Sequence, residues 1–284
     1  MHRHTVNPII IAILLLFSLN KSVQAQTNKT NKVNSTGVSV SPSHFHFGMK
    51  PGESKSYSIT INNSTPKAKS FNLNIFDFNM NGKGKSSFLP PGQGEYSLSK
   101  WLNISPTFVE LKPFEKKKVG FTVSIPNTEA GNKAAWSIIM VELQEERKKL
   151  NPKNKNENTV ALGVIPTFAF GIFAYQNPPT VVDNSVEFID FLYEEKDAKR
   201  ISIVAENTGD GISYCTSYID LTNLTTGKQE RLPVKKFTIL PGLIRDFVFE
   251  IPSNFKKGKY LAVGVLDFEN SEEIQAAKLE FELN

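Results

Sequence analysis

The chain has 284 residues but only one cysteine, four histidines and two tryptophans. A single thiol, Cys215, excludes an intramolecular disulfide, so any domain here must be held by an apolar core. Cys215 lies in Ile212-Ser-Tyr-Cys-Thr-Ser-Tyr218-Ile219, a strand-like stretch with no histidine nearby, and it reads as a small buried apolar residue. His2 and His4 precede an apolar run at the amino terminus, which leaves His44 and His46 as the only other imidazoles. No nucleophile–base set can be drawn from so few groups, and there is no Gly-x-Ser-x-Gly elbow. The acidic pairs Glu194-Glu195 and Glu272-Glu273 are sequence neighbours and read as solvent-facing. An enzyme is not expected, and no cofactor is implied.

Helical periodicity is also missing, since no stretch keeps a 3.6-residue repeat over about ten residues. After the first 25 residues no apolar run approaches the length of a membrane span, so no transmembrane anchor is expected. Positive charge is modest: the formal net charge of +5 falls to +3 without Arg3 and Lys21. The lysines are scattered among acids, with no basic stripe interleaved with aromatics, which argues against nucleic acid as a partner.

What is present begins with Arg3, the apolar run Ile9 to Leu19, and Val23-Gln24-Ala25 as a small-x-small cleavage site. Residues 1–25 read as a secretory signal peptide, the alternative being an uncleaved amino-terminal anchor. Residues 26–36 are polar and read as a disordered tether. From Val38 onward short alternating strands follow one another between Gly, Pro and Asn turns. Tyr57, Ile59 and Ile61 alternate with polar residues, as do Phe71, Leu73 and Ile75. Ile201, Ile203 and Ala205 do the same, and Ala277, Leu279, Phe281 and Leu283 form a last strand. This pattern predicts an all-β protein.

One pattern occurs twice. Phe108 to Pro126 and Phe237 to Pro252 each contain an apolar run, a Pro-led turn at Pro113 or Pro241, an alternating strand and a closing Ile-Pro. The repeat predicts two tandem immunoglobulin-like β-sandwich domains, 37–176 and 177–284, joined at Gln176-Asn177-Pro178-Pro179, where two prolines stiffen the connection. Asn63 to Pro113 spans 50 residues against 34 from Asn207 to Pro241. The surplus falls mostly in residues 77–100 and reads as an inserted loop or hairpin.

His44 and His46 share one face of a strand, with Phe45 and Phe47 on the other, and no third ligand completes a metal site. Gly82-Lys83-Gly84-Lys85-Ser86 ends like a phosphate loop, but Asn79 stands where the first glycine is needed and no helix pattern follows, so it reads as a turn. Residues 142–158 are charged, Asn-rich and expected to be mobile. Within Val160 to Tyr175, Leu162, Val164, Phe168, Phe170, Ile172 and Ala174 share one face, while Ile165, Ala169, Phe173 and Tyr175 share the other. A strand apolar on both faces is either central to a sandwich or an edge that a partner covers, and Pro166 favours an edge or a bulge.

The signal peptide, Ser41-Pro42 with Phe45, Lys50-Pro-Gly-Glu53, Trp101-x-x-Ile104-x-Pro106, Leu111-x-Pro113 and Ile125-Pro126 together resemble the first domain of the periplasmic pilus-assembly chaperone superfamily. Within it the pattern is most similar to the WxL-interacting cell-surface proteins, which pair two immunoglobulin-like domains. The resemblance covers nearly all of the chain after the signal peptide. It implies that a mobile loop and the last strand of domain 1 fall at 142–158 and 160–175, and that this strand completes a partner's fold by strand addition. The chaperones' anchoring residues do not map, for there is no Arg between Gln26 and Glu146 and no Lys between Lys155 and Lys196. The expected function is a non-enzymatic exported envelope protein, periplasmic or at the cell surface. It would present Leu162, Val164, Phe168, Phe170 and Ile172 to a secreted or surface protein. The alternative is a module that binds peptidoglycan or another cell-wall glycan, with Trp101 and Tyr96 as the contact residues.

Overall fold

Alternation in the sequence becomes alternation in burial. Strand β3 (Ser54–Asn63) buries Ile59, Ile61 and Asn63 and leaves Ser58 exposed. A second strand in the second half, β12 (Lys199–Asn207), buries Ile201, Ile203, Ala205 and Asn207 in the same rhythm. The computed structural model describes residues 37–144, 168–196, 198–268 and 274–284. The expected signal peptide, the tether and the candidate residues Leu162 and Val164 lie outside the described residues.

The first half contains, besides β3, strands β1 (Val38–Ser41), β2 (His44–Phe47), β4 (Lys69–Met80), β5 (Ser86–Leu89), β6 (Leu102–Ser105), β7 (Phe108–Leu111), β8 (Lys116–Ser124), β9 (Ala135–Gln144) and β10 (Ala169–Gln176). One sheet has the order β1-β3-β8-β6 and the other β2-β10-β9-β4-β5, with β7 also paired to β4. The two sheets enclose a core that includes Phe47, Ile59, Phe71, Leu73, Val119, Phe121, Ile139 and Ile172.

The second half adds to β12 the strands β11 (Val186–Glu195), β13 (Ser213–Asn223), β14 (Gln229–Arg231), β15 (Lys235–Ile239), β16 (Ile244–Glu250), β17 (Gly258–Phe268) and β18 (Gln275–Leu283). These form a sheet β11-β12-β16 facing a sheet β14-β13-β17-β18, with β15 also on β13. Cys215 is buried in this second core beside Ile203, Ile219, Phe249 and Leu266. The protein is all-β, with two β-sandwiches in tandem. Among the described residues no helix is long and apolar enough to cross a membrane.

The repeated turns are built alike. The Asn63 side-chain amide donates to the carbonyls of Lys67 and Lys112 at 2.8 and 2.9 Å, and its backbone N–H donates to Glu115 O. Asn207 donates to the carbonyls of Gly211 and Ile239, both at 2.8 Å, and its N–H to Leu243 O. Each asparagine thus ties the end of one strand to the Pro-led turn of another.

All three apolar cores lie within residues 36–284, which form a single compact unit. The third core joins the sandwiches: Phe78, Trp136, Ile138 and Tyr175 from the first meet Ile212 and Leu240 from the second. The connection at Gln176 and Asn177 is held by specific bonds. The buried Gln176 amide bonds Met49 N and O, and the Asn177 side chain bonds the N–H and carbonyl of Ile212.

Candidate partner-binding edge

Strand β10 is apolar on both faces because it touches two cores. Phe170, Ile172 and Ala174 point into the first sandwich, where Ile172 is 1% exposed. Phe173 and Tyr175 point the other way, into the cluster shared with the second sandwich. Gly171 lies beneath Ile138; a Cβ there would stand 2.7 Å from the Ile138 Cδ1.

The two edges of β10 are not equally covered. Antiparallel pairing with β9 runs the whole length, from Ala169 opposite Glu142 to Gln176 opposite Ala135. Parallel pairing with β2 covers only Phe173 to Gln176, opposite His44 to Phe47. The ladder directions alternate along the strand. The Phe173 N–H donates towards β2, at Ser43 O, whereas the Phe168 carbonyl accepts from β9, at Leu143 N. The N–H and carbonyl groups of Ala169 and Gly171 therefore face the side that no described strand covers. Immediately before them Phe168 is 61% exposed.

Of the residues expected to contact a partner, the structure brings Phe168, Phe170 and Ile172 onto one face but at graded depth: exposed, half-buried and buried. Tyr96 and Trp101 line one cleft of about 670 Å³ between the sandwiches. Tyr96 stacks on Trp136 with centroids 4.4 Å apart, so one of its faces is already covered. Trp101 packs against the first core. His44 and His46 share a face as their spacing predicts, with ring centroids 4.9 Å apart. His46 leans on Tyr175 and Tyr214 across the junction.

Sequence reasoning did not single out Asp77. It is buried in β4 and accepts from Gly94 N, Ser97 Oγ and Ser137 Oγ at 2.9–3.0 Å. Burial pushes its carboxyl up, but the hydrogen bonds from Gly94, Ser99, Ser97 and Ser137 outweigh it and hold the group below the ordinary aspartate range. This carboxylate pins the long 77–100 segment, whose first part is the β4–β5 hairpin. The only hint in the sequence was an acid inside an apolar strand.

No protein-family model matches the chain, and the search of curated proteins returns no match. Solved structures similar to it include a chaperone–tip adhesin complex of CFA/I fimbriae biogenesis (TM-score 0.42, 12% identity, 86% of this chain and 98% of that one). A chaperone–tip adhesin pre-assembly complex of archaic Csu pili from Acinetobacter baumannii is similar at TM-score 0.43 and 12% identity, covering 85% of this chain and 97% of that one. The E. coli chaperone DraB is similar at TM-score 0.39 and 14% identity, covering 88% and 98%.

Proposed function

We propose that this is an exported, non-enzymatic envelope protein of two immunoglobulin-like domains, 37–176 and 177–284, that acts in a chaperone-like way. It offers the uncovered edge of β10 to an extended segment of a secreted or surface protein. The observation that carries the reading is the mismatch in pairing: β9 covers all of β10, while β2 stops at Phe173. Backbone groups at Ala169 and Gly171 that pair with no described strand are a template for another strand. Phe168 supplies apolar contact at the same place. The sequence resemblance to the pilus-assembly chaperones points to the same strand. The chemistry selects a partner segment with free backbone groups and alternating apolar side chains.

Ala169→Pro tests it. The Ala169 N–H points away from β9, so proline removes an edge donor without breaking the β9 ladder. The variant is expected to keep its melting temperature and lose the envelope protein that the unaltered chain co-purifies. In the complex, hydrogen exchange at the amides of Ala169 and Gly171 should slow. A variant that retains its partner, with both amides exchanging freely, would rule out strand addition at this edge.

A further inference from the structure

Phe114 is the one described non-glycine residue with a positive φ, 60°. It occupies the turn position that Gly242, with φ 68°, fills in the second copy of the repeat. Both follow the turn proline, and both turns close with an i to i+3 bond, Glu115 N to Lys112 O and Leu243 N to Leu240 O. Glycine adopts this conformation freely, whereas a bulky side chain is strained in it. Burial does not compensate, because Phe114 is 70% exposed. Nothing in the packing of the sandwich accounts for an aromatic ring held out at a strained turn tip.

The surroundings of that ring are cationic. Asn63 stitches the 63–69 turn to the 112–115 turn, and the Phe114 N–H donates to Thr65 O. This pole carries Lys67, Lys69, Lys112, Lys116, Lys117 and Lys118. Among the described residues none of the six takes part in an ion pair. Two acids accompany them, Glu110 and Glu115, and the Glu115 carboxylate is folded back onto the Lys112 N–H at 2.6 Å. The chain also joins the sandwich here: Gly37, the first described residue, accepts from Ser64 N at 2.9 Å.

We propose that this pole docks on an anionic phospholipid bilayer, with Phe114 inserted among the headgroups and the lysines set against the lipid phosphates. An exposed aromatic at a turn whose flanking strands carry lysines suits an interface that is apolar beneath and negative at its surface. The second sandwich lacks the arrangement at the equivalent turn, where glycine replaces the ring and Leu240 is buried at the junction.

The test uses residues 36–284, the unit that holds all three cores, so that the amino-terminal apolar run does not itself bind lipid. Sedimentation with phosphatidylcholine vesicles is compared with vesicles containing about a third phosphatidylglycerol. Binding is expected to the anionic vesicles, to weaken roughly fivefold for each lysine replaced by alanine, and to fade in high salt. Phe114→Gly should weaken binding several-fold while raising the melting temperature, a combination that misfolding cannot produce. No binding to anionic vesicles, equal binding to neutral ones, or a Phe114→Gly chain that binds as well as the unaltered one overturns the proposal.

Discussion

The two buried asparagines show how much a single side chain decides. Asn63 Oδ1 accepts from the N–H and hydroxyl of Thr65, and Asn207 Oδ1 accepts from Gly209 N. Together with the donor bonds of their amides, each closes one end of its sandwich. In the sequence both stood out only as turn residues at matching places in the repeat. That the amides are buried and bond two carbonyls each depends on the turn packing against them, which one chain segment cannot reveal. Asn63→Ala and Asn207→Ala should each cost roughly 2–4 kcal/mol by urea unfolding, because truncation removes a buried amide that bonds two carbonyls and accepts from the following turn. Asp77 makes the same case with a charge. Asp77→Ala is expected to destabilise by about 2–4 kcal/mol, stranding the Gly94 N–H and removing the acceptor that Ser97 and Ser137 share. Its carboxyl is held below the ordinary range when folded. Its contribution is therefore complete above the unfolded value of about 3.9 and lost as pH falls through the folded one. Stability curves of the parent and Asp77→Ala should converge in acid; parallel curves would remove the carboxylate from the account.

Strands were legible to different depths. The half-buried ones, β3 and β12 among them, announced themselves by alternation, and so did the order of the repeat. Strand β10 was legible only as a choice between a core strand and an edge. The structure makes it both: central where β2 lies beside it, and without a described strand on that side from Ala169 to Ile172. The comparison with β16 sharpens this. That strand also ends its sheet, yet its outer groups are engaged: Asp246 N donates to Gly82 O at 2.9 Å, and Val248 O accepts from Lys235 Nζ. An edge lysine and a docked loop guard a strand against stray pairing, and β10 has neither at Ala169 and Gly171 among the described residues. The loop that guards β16 is Gly82-Lys83-Gly84-Lys85, which the sequence identified correctly as a turn. Its reach to the other sandwich was hidden, since it depends on how the two pack. Gly84 has φ 77°, and a Cβ there would fall 2.2 Å from Arg245 Nη2. Gly84→Ala should cost about 1–3 kcal/mol and release the loop, read as faster hydrogen exchange at Asp246. Unchanged exchange would mean that the loop is not what protects β16.

At the scale of the whole molecule, the repeat predicted two sandwiches but not how they are coupled. The residues that join them, Phe78, Trp136, Tyr175, Ile212 and Leu240, look in sequence like ordinary core positions of one domain or the other. Only their shared burial makes them a third core, and that core accounts for the second apolar face of β10. A junction of this kind should make the sandwiches unfold together. His46 gives the junction a pH dependence, since it faces Tyr175, Tyr214 and His44. Burial first, and the neighbouring His44 charge second, lower its pKa in the folded state. The His46 contribution is therefore complete above the unfolded histidine value of about 6.5 and is lost as pH falls through the lower folded one. The stronger perturbation is Ile212→Asp, which places a charge in a site only 1% exposed. By calorimetry the parent should show one transition at neutral pH. The variant should show two, because the two sandwich cores are untouched while the core between them is lost. If the parent already unfolds in two steps, the shared cluster does not couple the sandwiches, and the stiffness of the β10 platform must come from the first sandwich alone.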